Sequence, residues 1–203
     1  MPKKLKKSGV RKPNKRLYIL CEGAKDKSEF AYLNAFIRNC SFKGSRVSVE
    51  VVDSIKNTGR ELVKAASELK EMPDDTIWVV YDKDDYPRHP DTFHSARVHN
   101  VKIAFSSISF EYWILLHYKY TAKAFDSCDD LLKYMKSKID FDYSKSSASV
   151  FDDTKHLLGV AKQNAKKIQK YQASGNPKGT PIYKFNPYTN INELIEEIES
   201  LQS

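Results

Sequence analysis

Apolar and polar positions alternate in blocks along this chain, and the blocks predict an α/β order. Leu17 to Cys21 is a short apolar run ending at Glu22-Gly23. Phe30, Leu33, Phe36 and Ile37 then recur at helical spacing and predict a helix from about Asp26 to Cys40, capped by Asp26 or Ser28. Val47 to Val52 alternates in part and reads as a second strand. Leu62, Val63, Ala66 and Leu69 line one face of a helix over Arg60 to Met72, stopped by Pro73. Ile77, Trp78, Val79, Val80 and Tyr81 are continuously apolar, β-branched or aromatic, the pattern of a strand buried on both faces. A short helix near Thr92 to His99 and a fourth strand, Val101 to Phe105, follow. The order β-α-β-α-β-α-β implies a mainly parallel, four-stranded sheet with right-handed crossovers.

The second half changes character. Phe110 to Tyr118 is too apolar for a surface helix. Asp126 to Ile139 and Val150 to Tyr171 predict amphipathic helices, residues 173–190 read as loop, and Ile191 to Leu201 predicts a closing helix. The expected division is a basic flexible tail over 1–16, an α/β core over 17–118 and a helical C-terminal region over 119–203 packed on that core.

Charge adds the tail. Of 203 residues, 34 are basic and 26 acidic, a net charge of +8. Residues 1–16 hold Lys3, Lys4, Lys6, Lys7, Arg11, Lys12, Lys15 and Arg16 and no acid; without these eight the chain has 26 basic and 26 acidic residues. Such a block is either a nucleic-acid arm or a solubilising start. No apolar segment approaches the roughly 20 residues of a membrane span, and the basic start lacks the apolar stretch of a signal peptide. Cys21, Cys40 and Cys128 form no CxxC pair, which argues against a disulfide framework or zinc site and fits a reducing cytoplasm.

The candidate chemistry is acidic. The central strand ends in Asp82, Asp84 and Asp85, and ligands of open α/β sheets collect at the carboxyl ends of strands. Residues two apart on extended chain point the same way, so Asp82 and Asp84 converge. Two carboxylates repel unless a cation relieves them, and hard oxygens suit Mg²⁺ or Mn²⁺. The alternative is a solvated acidic turn. Glu22 follows another apolar strand; if the first and third strands are neighbours, it joins the same edge as a ligand or general base, or else it serves as a helix N-terminal charge. Glu111 and His117 are the only acidic or basic side chains between Phe110 and Tyr118. A carboxylate on an apolar helix face needs a partner: a metal, Lys83, Arg97 or a backbone cap; the first makes Glu111 a catalytic residue in or beside the metal site, the last a structural cap. Lys83, Asp85 and His117 are candidates for supporting positions around the acids. Lys162, Lys166 and Lys170 recur at i, i+4, i+8 and make either a phosphate-binding stripe or a solvated face. The aromatics of residues 183–190 offer stacking on bases or ordinary core packing.

A strand ending in Glu-Gly followed by one ending in Asp-x-Asp is similar to the Toprim domain of topoisomerases, primases and overcoming-lysogenization-defect nucleases. Ile19-Leu20-Cys21-Glu22-Gly23, Val79 to Asp85, Phe110 to His117 and Asn186-Pro187-Tyr188-Thr189-Asn190 together resemble the RloB-like family over about Arg16 to Leu201. The resemblance implies a Toprim/Rossmann-like fold and a metal-dependent nuclease of prokaryotic anti-phage defence, commonly encoded beside an ABC-type ATPase. It makes Glu22 the general acid/base, Asp82 and Asp84 the Mg²⁺ or Mn²⁺ ligands, and nucleic acid the partner, with RNA such as tRNA favoured over DNA. The rival expectation is a non-catalytic regulatory or sensor partner of a defence ATPase. The chain departs from the family at Ala24, Asp26, Lys27 and Ser28, where an acid and a Thr-Glu-Pro start are common, and at Ser107-Ile108-Ser109, where Asn-Pro is common.

Overall fold

The structure, a computed structural model, describes residues 15–22, 27–42, 47–54, 58–83, 88–140 and 149–202. Five strands form one sheet: β1 (Lys15–Glu22), β2 (Val47–Ser54), β3 (Thr76–Asp82), β4 (Lys102–Ser107) and β5 (Tyr188–Thr189), in the order β2-β1-β3-β4-β5. The first four are parallel, and β5 runs antiparallel to β4. The helices are α1 (Ser28–Asn39), α2 (Gly59–Glu68), α3 (His89–His99), α4 (Glu111–Tyr118), α5 (Cys128–Lys138), α6 (Val150–Thr154), α7 (Leu158–Gly175) and α8 (Ile191–Ser200).

Alternation along the central strands sorts the side chains into two layers. Leu17, Ile19, Cys21, Trp78, Val80 and Ala104 join a cluster with residues of α1, α4, α7 and α8. Tyr18, Leu20, Ile77, Val79, Tyr81 and Phe105 join the opposite cluster, covered by α2 and α3. With α1 on one face and α2 and α3 on the other, the crossovers leave β1 and β3 in opposite directions. The topological switch point therefore lies between β1 and β3, where open α/β sheets place their ligand crevice.

Four expectations change. Among the described residues the sheet has five strands rather than four. The fifth, β5, falls within residues expected to be loop, because a two-residue strand has no alternation to read. It is held by side chains: Asn190 accepts from Phe105 N–H at 2.7 Å through Oδ1 and donates to the Ile103 carbonyl at 3.1 Å through Nδ2. The helix expected over Val150 to Tyr171 is broken by a 3₁₀ turn at Lys155–Leu157, next to Thr154, whose hydroxyl bonds back to the Val150 carbonyl at 2.7 Å. Of the two readings open for the aromatics near the C-terminus, core packing is the one observed: Phe185 and Tyr188 are buried in the α2–α3 layer. The first strand starts at Lys15, inside the expected tail. Arg16 is fixed there by Glu71 at 2.6 Å and by its own N–H on Asp75 Oδ1 at 3.0 Å. Lys3, Lys4, Lys6, Lys7, Arg11 and Lys12 lie outside the described residues. Among the described residues, no helix is long and apolar enough to cross a membrane.

Candidate functional site at the carboxyl edge of the sheet

Glu22 is the last residue of β1 and Asp82 the last of β3, and these strands are neighbours. Cys21 pairs with Val80, so Glu22 stands one residue short of Asp82 along the two strands. The pleat separates them: Asp82 has the parity of Val80 and Glu22 that of Leu20, so the two carboxylates approach one another only around the strand ends. Asp84 and Asp85 lie outside the described residues, as does Gly23.

Asp82 is tied to the start of α4. Its Oδ2 accepts the Phe110 N–H at 3.0 Å, which satisfies one of the orphan donors of that helix and brings the positive end of its dipole to the acidic edge. The next residue of that turn, Glu111, is only 2% exposed. Its Oε2 accepts from Ser109 Oγ at 2.6 Å and faces Cys128 Sγ at 3.5 Å. Its Oε1 lies 3.2 Å from Ser28 Oγ, which is equally 3.2 Å from Glu29 Oε2 and can donate to one of the two at a time. Ser28 opens α1, Glu111 opens α4 and Cys128 opens α5, so three helix N-termini meet at one carboxylate, an arrangement that favours its charge.

Of the four partners expected for Glu111, Arg97 lies elsewhere, on α3, where its guanidinium donates to His94 Nδ1 at 3.1 Å. Ser28 and Cys128 were not legible as partners. Ser28 is 83 residues away in the chain, and only the short Ser109-x-Glu111 spacing carried any local signal.

Lys83 is half-buried, and its backbone N–H donates to the Ser106 carbonyl at 2.9 Å. Burial holds its ammonium pKa below the ordinary value. Beneath it, Tyr81 Oη and His89 Nδ1 lie 2.6 Å apart, and burial together with the Lys83 charge lowers the His89 pKa. His117 sits deep in the α1–α4 layer, with Nε2 3.0 Å from Tyr32 Oη and Nδ1 3.0 Å from the Trp113 carbonyl. Burial pushes its pKa down to about 4. These contacts make it a packed core histidine.

Two of the three lysines of the candidate stripe on α7 pair with α8. Lys162 pairs with Glu199 and Lys166 with Glu196, each at 2.7 Å, while Lys170 is exposed.

The donor chemistry fits a hard divalent cation, since Glu22 and Asp82 are carboxylates at adjacent strand ends. Among the described residues, no group of three His, Cys, Asp or Glu side chains is placed to hold a metal ion. A third donor would have to come from outside them, where Asp84 lies.

Fold and edge together define an open, mostly parallel α/β protein with acidic strand ends at its switch point. Residues 17–198 match the model of the family described as RloB-like protein. The chain belongs to the RloB-like family. No curated protein and no solved structure matches it.

Proposed function

We propose that this chain is a metal-dependent phosphodiesterase acting on nucleic acid, with RNA such as tRNA preferred over DNA, within an anti-phage, abortive-infection defence system that includes an ABC-type ATPase. The observation that carries the catalytic reading is the position of Glu22 and Asp82 at the carboxyl ends of β1 and β3, either side of the switch point. In this reading Glu22, Asp82 and Asp84 hold one or more Mg²⁺ or Mn²⁺ ions, and Glu22 exchanges a proton at the attacking or leaving oxygen. A divalent ion so bound supplies Lewis acidity toward a phosphate. The α4 N-terminus stabilises negative charge beside Asp82. Lys83, whose charge is disfavoured by burial, gains a counter-ion when a phosphate approaches. The RNA preference, the defence setting and the ATPase rest on fold-level analogy.

The test is Mg²⁺-dependent cleavage of a labelled panel of RNAs and DNAs. Wild type is expected to cleave at least one member, and Glu22→Gln and Asp82→Asn to lose cleavage while keeping a wild-type circular dichroism spectrum. Equal Mn²⁺ affinity by calorimetry in wild type and Asp82→Asn would end the metal assignment. A second reading, a non-catalytic regulator of a defence ATPase, is favoured by the Asp82–Phe110 bond, since that carboxylate then serves as a tertiary helix cap. It predicts full ATPase binding by Asp82→Asn and no cleavage by wild type.

A further inference from the structure

On the face of the sheet opposite α4 and α7, a groove of about 610 Å³ runs between α2 and α3. That is the size of a pocket for a small molecule or a short stretch of chain. Arg60 and Lys64 of α2 line one wall, and Arg88, Ser95 and His99 the other. His94 joins them in an adjoining hollow. The acids facing these cations are Glu61 and Asp91. Asp91 takes the Arg88 guanidinium at 2.7 Å, and Glu61 Oε2 accepts from Thr58 Oγ1 at 3.0 Å. Among the described residues, Arg60 and Lys64 form no ion pair, in contrast to Lys162 and Lys166 on the other face. The imidazoles are oriented by local bonds: His99 Nδ1 donates to the Ser95 carbonyl at 2.9 Å, and His94 Nδ1 accepts from Arg97 at 3.1 Å, which leaves the His94 Nε2–H as a donor.

The groove begins at the acidic edge. Both α2 and α3 follow parallel strands, so Arg60 and Arg88, at or beside their first residues, stand at the same carboxyl edge as Glu22 and Asp82. Gly59 makes the junction tight: a Cβ there would stand 2.6 Å from Tyr81 Cε2 and 2.8 Å from Thr92 Cγ2. One helical turn deeper, at 1.5 Å per residue, Lys64 lies about 6 Å further along the groove than Arg60. A cationic track therefore leads from Arg88 and Arg60, at that edge, to Lys64.

We infer that the α2–α3 groove, and not the α7 lysine stripe, carries the phosphodiester backbone of a single-stranded nucleic acid toward the acidic edge. The inference rests on the proposed nuclease reading for what happens at that edge, but the groove's binding is measured without it. Arg88 exchanges its exposed Asp91 partner for a phosphate, so three phosphate contacts contribute a salt slope of about −0.7 each on a single strand. The affinity attributable to Arg60, Lys64 and Arg88 therefore falls about 20-fold between 50 and 200 mM salt.

The experiment titrates a fluorescein-labelled 20-nucleotide oligouridylate into the full chain in EDTA at several salt concentrations. The proteins are wild type, Arg60→Gln/Lys64→Gln/Arg88→Gln, and a charge-matched control on α5, Lys133→Gln/Lys136→Gln/Lys138→Gln. All three residues of the control are exposed. The expected result is a log–log slope shallower by about 2 in the groove variant and unchanged in the control. Groove and control variants losing affinity equally would overturn the inference, because net charge alone would explain binding. Wild-type binding by the groove variant, with metal-dependent cleavage intact, would overturn the inference and leave the nuclease reading standing. Loss of binding in the groove variant, with no cleavage by wild type in Mg²⁺, would support the groove and overturn the nuclease reading. Failure of wild type to bind would overturn the inference and leave the nuclease reading to its own cleavage test.

Discussion

Replacing Glu111 by Gln keeps the shape of the side chain and removes its charge, which makes it the sharpest probe of the acidic edge. Two effects oppose. Neutralising a buried carboxylate relieves a desolvation cost that is several kcal/mol for an ion without partners. Against this, hydrogen bonds to a charged acceptor contribute about 1.5–3 kcal/mol where neutral ones contribute about 0.5–1.5. The 2.6 Å bond from Ser109 is the short, charge-assisted kind. The dipoles of α1, α4 and α5, whose first turns hold Ser28, Glu111 and Cys128, add about 0.3–1 kcal/mol apiece. With the desolvation already offset by these donors, the charged form wins, and Glu111→Gln costs about 2 kcal/mol. For a chain of this size that lowers Tm by about 4–8 °C. The assay is thermal unfolding in EDTA, so that no metal contributes, paired with Ser109→Ala and the double variant. A coupling energy of about 1 kcal/mol or more is expected in that cycle, because the two residues share one bond. An unchanged or raised Tm for Glu111→Gln would refute the reasoning. It would mean that the fold holds this charge at a cost, as sites kept for function do.

Other positions give independent checks. Gly59→Ala should destabilise by about 1–3 kcal/mol through overpacking against Tyr81 and Thr92; stabilisation in urea, the usual gain of Ala in a helix, would contradict that contact. Asn190→Ala strips partners from the Phe105 N–H and the Ile103 carbonyl and should cost about 2–4 kcal/mol by chemical denaturation; a loss below 0.5 kcal/mol would mean that β5 is not held this way. His117, with a folded pKa of about 4 against about 6.5 unfolded, lets the unfolded chain take the proton first as pH falls. Its contribution is thus intact above pH 6.5 and is lost toward pH 4, about 2 kcal/mol of it between pH 7 and 5. Unfolding free energies at those two pH values in wild type and His117→Asn measure it, and equal pH dependence in both would overturn the assignment.

Local pattern determined much of this molecule. The continuous apolar runs at Leu17 to Cys21 and Ile77 to Tyr81 marked the two central strands, and the acids at their ends, Glu22 and Asp82, stand where a parallel sheet presents its ligand edge. Helical spacing placed α1, α2, α5 and α8 to within a few residues. Only the tertiary structure decided strand order, and with it the switch point that makes neighbours of Glu22 and Asp82. It alone supplied the partners of Glu111, assigned the α7 lysines to glutamates of α8, and opened a cationic groove between α2 and α3. The physical reason is range. Periodicity and capping act over a few residues and leave a local trace, whereas Ser28 meets Glu111 across 83 residues and Lys162 meets Glu199 across 37, contacts fixed by packing of layers. The two residues of β5 show the same limit at short length, since their pairing with β4 is written in Asn190 and the edge it completes, not in any alternation of their own.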